Sequence, residues 1–141
     1  KVREIKFRAL HSTKNTWCYG VFDRYIKKEF GEWDLDIELF FKSIKNGILN
    51  VDTCSQFAGL KDKNGKEIYE GDILRYATGI DGCETGTIVF EKGSFLILFK
   101  ECYTEHRNIL HTYVSQNTER FIEVIGNIYE NPELLSGGNG K

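Results

Sequence analysis

Cys102, His106 and His111 form a C-x3-H-x4-H arrangement, a sulfur and two imidazoles of the kind that hold zinc. On a loop or helix they could approach a metal from one side, but they supply three ligands at most and match no common zinc spacing. Solvated histidines in a polar connection are the simpler account, and His11 in an early loop reads the same way. Glu67 with Glu70, or Asp72 with Glu70, could serve as an acid-base pair if a cleft raised one pKa. Solvation at turns and strand edges explains these carboxylates more simply. No G-x-S-x-G segment is present to place a serine on a strained turn. Residues 79–86 carry three glycines but lack the Lys-Ser/Thr ending and the following helix of a phosphate-binding loop, so they read as an exposed loop. The expectation is no metal, no cofactor and no catalytic residue.

The four cysteines, Cys18, Cys54, Cys83 and Cys102, are scattered without a CxxC pair, which favours free thiols over a disulfide framework. Cys18 and Cys54 sit among strand-like residues and should pack as small apolar groups. Cys83 falls in the glycine-rich loop, with no neighbouring histidine or basic run to lower its pKa. For binding rather than catalysis, Arg75, Tyr76, Lys92, Tyr103 and Arg107 could form a surface on which single strands stack, since such platforms combine aromatic and basic side chains. Against this, most of the ten Phe lie on apolar faces, where core packing accounts for them.

The elements that would position these groups follow from periodicity. Ile5, Phe7 and Ala9 alternate with Glu4, Lys6 and Arg8, a period of two that marks a strand with one wet face. Residues 16–22, with Trp17, Tyr19 and Val21 on one face, should pair with it as a hairpin. Ile37, Phe40, Phe41, Ile44 and Ile48 recur at helical spacing. Asp34 or Asp36 can cap that helix and Gly47 can stop it, which places it at about 36–46, although Phe40-Phe41 also suits a strand, so residues 31–50 are open between helix and strand. Residues 72–77, 86–91 and 94–100 read as three short strands, and 121–128 as another, with Gly126 at a bulge or a close backbone contact. Phe95-Leu96-Ile97-Leu98-Phe99 lacks polar alternation, so both of its faces should be covered. Pro132, the only proline, ends the last strand; Leu134-Leu135 should tuck against the body, and residues 136–141 should fray.

Between the hairpin and the three strands lies Leu60-Lys61-Asp62-Lys63-Asn64-Gly65-Lys66-Glu67-Ile68-Tyr69-Glu70-Gly71-Asp72-Ile73-Leu74. Asn64-Gly65 suits a two-residue turn with both central residues at positive φ, its charged tip of Lys61, Asp62, Lys63, Lys66 and Glu67 in water. Tyr69-Glu70-Gly71-Asp72 bends the chain again. This string resembles the YopX family of phage and prophage proteins, as do Arg3-Glu4-Ile5-Lys6-Phe7-Arg8-Ala9 and the stretch from Glu123 through Ile125-Gly126-Asn127-Ile128-Tyr129-Glu130-Asn131-Pro132 to Leu135. Leu10 and Ala58 depart from the family pattern, which more often has Trp and Thr there. The resemblance implies a mainly β protein: a small SH3-like barrel at 57–135, with the N-terminal hairpin and one short helix in 1–56 and a tail at 136–141. It implies no assigned activity.

Length and composition bound the remaining possibilities. A chain of 141 residues, 40% hydrophobic and 28% charged, can bury about two-thirds of the surface its unfolded form exposes. Its 19 basic and 21 acidic side chains leave a formal charge of −2, which does not support a nucleic-acid footprint over the whole molecule. The longest apolar run, five residues, cannot span a bilayer, and no signal-peptide pattern opens the sequence, so the expected location is the bacterial cytoplasm. Two function classes follow. One is a non-catalytic accessory protein that binds a host or phage macromolecule, or further copies of itself. The other is a small hydrolytic or nucleic-acid-processing enzyme using His106, His111 and nearby carboxylates.

Overall fold

The residues that start and stop the single long helix show how closely local chemistry is obeyed. In the computed structural model, which describes residues 4–22, 31–77, 83–100, 105–109 and 122–136, helix α1 spans Ile37–Lys45. Asp36 caps it, its carboxylate accepting the Glu38 N–H at 3.0 Å. At the other end Gly47 takes φ 74°, and the N–H groups of Gly47 and Ile48 donate to the carbonyls of Ile44 and Ser43 at 3.0 and 2.9 Å. This is the paired C-terminal closure that a left-handed residue allows. Asp34, the other candidate cap, lies in a strand instead and accepts the Gly31 N–H with its carboxylate.

The chain divides into two compact units, Lys1–Gly59 and Leu60–Lys141. In the first, β1 (Lys6–Leu10) and β2 (Trp17–Val21) form the expected hairpin, with Phe7 opposite Gly20 and Ala9 opposite Cys18. His11 is part of its turn: the main-chain N–H groups of Thr13 and Lys14 both donate to Nδ1 at 3.2 Å, which puts the ring proton on Nε2. β3 (Asp34–Asp36) runs parallel to β2, a pairing that three residues reading Asp-Leu-Asp do not announce. β4 (Ser55–Lys61) lies on the other side of β1, giving the order β3-β2-β1-β4. A one-turn 3-10 helix, Val51–Thr53, docks on the end of β1 through the Leu10 N–H, which donates to Thr53 Oγ1 at 2.9 Å.

Helix α1 covers one face of this sheet. Phe40, Ala9, Cys18 and Leu49 are fully or nearly buried there, with Phe7, Trp33, Leu35, Ile44 and Cys54 packed around them. Phe40 lies so close to Gly20 that a Cβ on Gly20 would fall 2.6 Å from its ring. Burial pushes the Cys18 thiol above the usual value, with Lys14 acting weakly the other way. Cys18 and Cys54 are therefore free thiols used as small apolar groups.

β4 ends just past the unit boundary, and in the second unit the 62–66 turn leads into β5 (Glu67–Tyr69). β6 (Asp72–Ala77), β7 (Cys83–Glu91) and β8 (Ser94–Lys100) form an antiparallel meander, extended on one side by β10 (Ile122–Asn127) and on the other by β9 (Glu105–Ile109). The order is β10-β6-β7-β8-β9, so the protein is mainly β, with two sheets and no closed barrel among the described residues. Leu74, Ile88, Ile97, Phe99, Ile122 and Val124 alternate onto one face and are buried. Leu96 and Leu98 face the other way and are half-buried, as is Phe95 at the start of the run, so of residues 95–99 only Ile97 and Phe99 are buried, contrary to the unbroken hydrophobicity.

Three further expectations are corrected here. Cys83 is a strand residue opposite Ala77, and the strand reading extends back through residues 83–85 that looked like loop; residues 78–82 lie outside the described residues. The polar stretch Glu105–Ile109, read as a connection, is strand β9. Of residues 136–141, read as a fraying tail, Ser136 instead ends a helical turn, and 137–141 lie outside the described residues. Gly126 behaves as its position implied: the β10–β6 register shifts between Val124 and Gly126, and a Cβ there would meet Asn131 Oδ1 at 2.6 Å. A single helical turn, α2 (Glu133–Ser136), follows Pro132, and its Leu134 and Leu135 stay 38% and 40% exposed rather than tucked away.

Candidate binding surface

The acidic and amide side chains that make the second unit recognisable in sequence are bonded to main chain. Asp62, expected in water at the hairpin tip, is only 6% exposed. Its Oδ1 accepts the N–H groups of Asn64 and Lys66 at 2.8 and 2.9 Å, and its Oδ2 accepts that of Val124 at 2.9 Å. This side chain also changes the turn. Gly65 alone takes positive φ, 78°, and the Asp62 N–H donates to Lys66 O across a three-residue loop rather than a two-residue one. The turn with two left-handed residues falls at Lys92-Gly93, φ 50° and 82°, between β7 and β8.

The same use recurs along the unit. Asp72, 1% exposed, accepts the Tyr69 N–H at 2.7 Å and so closes the Tyr69-Glu70-Gly71-Asp72 bend. Glu67 accepts from the Tyr69 hydroxyl at 3.3 Å. Asn127 Oδ1 accepts the N–H groups of Tyr129 and Glu130, while Asn131 Oδ1 accepts that of Asn127. A carboxylate or amide oxygen held this way is spent on orienting the backbone.

Of the five residues marked as a stacking surface, Arg75, Tyr76 and Lys92 lie apart from one another on the second sheet. Arg75 is half exposed on β6, directly across from Glu123 on β10, and its Nη2 donates to Glu123 Oε2 at 2.7 Å. Lys63 Nζ lies 3.6 Å from the same oxygen. The Arg75 hydrogen bond, aided by Lys63, holds the Glu123 carboxyl below the usual carboxylate range. Tyr76, the next residue along β6, turns to the opposite face of the sheet and lies across from Glu84. Lys92 occupies the β7–β8 turn, about 20 Å along the sheet from the Arg75 row. The backbone of Arg107 lies in β9 opposite Leu98, and Tyr103 lies outside the described residues.

For the metal or acid-base reading, His106 lies in β9 opposite Phe99, while Cys102 and His111 lie outside the described residues. Among the described residues no three His, Cys, Asp or Glu side chains gather where they could hold a metal ion.

A different surface, not picked out from sequence, lies on the helix-bearing face of the first unit. Phe41 is 44% exposed, and its ring stacks edge-on against Phe7 and Phe40, each with centroids 5.3 Å apart. Phe7 is opposite Gly20 in the β1–β2 ladder. Just past the ends of these two strands, Ile5 and Phe22 are each 45% exposed. The legible signal was the Phe40-Phe41 doublet. Adjacent helical residues point about 100° apart, so when Phe40 fills the core Phe41 must sit at its rim.

These features describe a small, mainly β protein of two compact units whose motif residues build turns and whose exposed aromatic side chains offer contact area. A family model described as YopX protein matches residues 6–136, nearly the whole chain. The chain belongs to the YopX family. A solved structure, that of protein EF1440 from Enterococcus faecalis, is 25% identical, with a TM-score of 0.54 over 93% of this chain and 97% of that one. No curated protein matches.

Proposed function

We propose that this chain is an accessory protein of phage or prophage origin that acts in the bacterial cytoplasm by binding a protein, without catalysing a reaction. The observation that carries this reading is the exposed aromatic group on the first unit, where Phe41 stacks on Phe7 beside Phe40 while Ile5 and Phe22 remain half uncovered. Exposed aromatic side chains of this kind favour contact with another protein surface. The partner's chemistry follows from charge. A net charge of −2 and an Arg75 already bonded to Glu123 argue for an apolar protein contact over a phosphate backbone. The meander β6-β7-β8 supports reading the second unit as an SH3-like module that braces the chain through its buried turns.

The test is capture from an infected or lysogenic host with the wild-type chain and Phe41→Ser as baits, each across a salt series. The expected result is a protein partner retained at high salt by the wild type and lost by Phe41→Ser. Nucleic acid retained at low salt and released steeply as salt rises, or capture unaffected by Phe41→Ser, overturns the reading. Light scattering of the purified chain distinguishes a foreign partner from a second copy, and a Phe41-dependent dimer would replace the foreign partner.

A further inference from the structure

An asparagine followed by glycine can modify itself. The glycine nitrogen attacks the side-chain Cγ and closes a five-membered imide; the Cγ–Nδ2 bond breaks, and ammonia leaves with the proton of the glycine N–H. Water then opens the ring at either carbonyl, leaving an aspartate or, with the main chain rerouted through Cβ, an isoaspartate. The attack needs an unhindered following residue, a side-chain amide that is not otherwise engaged, and room for the ring. Asn50, Asn127 and Asn131 fail these conditions: they precede Val51, Ile128 and Pro132, and their side-chain oxygens already accept main-chain N–H groups. Asn46-Gly47 and Asn64-Gly65 meet them. Both asparagines are exposed, their side-chain amides bond to nothing among the described residues, and a Cβ on either glycine would meet nothing within 4 Å.

The two pairs differ in what holds them. The Gly47 N–H donates to Ile44 O and the Gly65 N–H to Asp62 O, each at 3.0 Å, so in both places the nitrogen must first be released by local opening. Around Asn46 the N–H bonds run to main-chain carbonyls alone. Around Asn64 a buried carboxylate adds to them: Asp62 Oδ1 accepts the N–H groups of Asn64 and Lys66 at 2.8 and 2.9 Å, on either side of the reacting nitrogen. We propose that Asn64 is a site of spontaneous conversion to isoaspartate and aspartate, and that the Asp62 carboxylate sets its rate by holding the 62–66 loop shut. The isoaspartate adds a main-chain atom to a loop that closes through the Asp62 N–H and Lys66 O at 2.8 Å, so the converted loop no longer fits its own hydrogen bonds. The proposal is independent of the aromatic face on the first unit.

The test is peptide mapping by mass spectrometry of the chain aged in buffer and in urea, with Asn46 as the internal comparison. In urea the Asn64 amide should be lost, and in the folded wild type about tenfold more slowly. In folded Asp62→Ala the loss at Asn64 should speed up by about tenfold while Asn46 keeps its wild-type rate. Should the alanine variant not fold, Asp62→Asn, which keeps a single acceptor oxygen, is read the same way. An Asn64 amide that survives in urea, or that is lost as fast in the folded wild type as in urea, overturns the proposal. So does a folded Asp62 variant that leaves the Asn64 rate unchanged or speeds Asn46 equally, since the second result reports general loosening and not release of this loop.

Discussion

The two units hold their chains by different means. In the first, apolar side chains from a helix, three strands and a loop meet around Phe40, and the polar residues serve mostly at caps and turns. In the second, buried or partly buried Asp62, Asp72, Asn127 and Asn131 tie main-chain amides together at the 62–66, 69–72 and 127–131 turns. The difference teaches where to look for function. Asp62, Asp72 and Asn127 lie in the most recognisable strings of the sequence, and they explain why these turns form. The first unit leaves Phe22 and Phe41 about half uncovered, and the proposed partner contact rests there.

The largest expected effect tests the apolar half of this comparison. Phe40→Ala removes a fully buried ring and leaves a cavity beside Gly20, which should cost about 3–5 kcal/mol in chemical denaturation. Asp72→Ala leaves the Tyr69 N–H without its carboxylate and should cost about 1–3 kcal/mol, with the Tyr69 amide exchanging faster. If Asp72→Ala proved the more damaging of the two, the view that packing dominates over capping would fail.

The smallest effect concerns the exposed charge pair. Because Arg75 and Lys63 hold the Glu123 carboxyl below its unfolded value, Glu123 contributes stability above that unfolded value, about 4.3. This contribution is lost as pH falls through the lowered folded value. Glu123→Gln should therefore soften the loss of stability on acidification and change little near pH 7 beyond a small drop. A variant with the same acid limb as the wild type would show that the pair does no work at this solvent-exposed site.

Legibility in the sequence followed the range of the interaction. Alternation placed β1 and β2, short apolar runs between turn residues placed β6, β8 and β10, and the Asp36 and Gly47 signals bounded the helical reading of α1 to within a residue, because caps, turns and pleats are decided by neighbours. β3 escaped notice because its partner β2 lies across an intervening segment and its three residues carry no pattern. β9 escaped because Glu-His-Arg-Asn-Ile is polar, as an outer strand is free to be. The turn at Gly65 was anticipated but its type was not, since the Asp62 side chain enlarges the loop.

Taken alone, the residues determined most reversals and the alternating faces: left-handed corners favour Gly, helix starts favour an acceptor, and half-buried strands favour an apolar side chain at every second position. Folding in three dimensions decided which polar groups left water. Asp62 is buried because Val124, 62 positions away, brings an N–H to it, and Arg75 is neutralised because strand pairing sets Glu123 opposite. Burial and pairing depend on partners that are distant in sequence, and only the assembled sheets bring those partners within hydrogen-bonding reach.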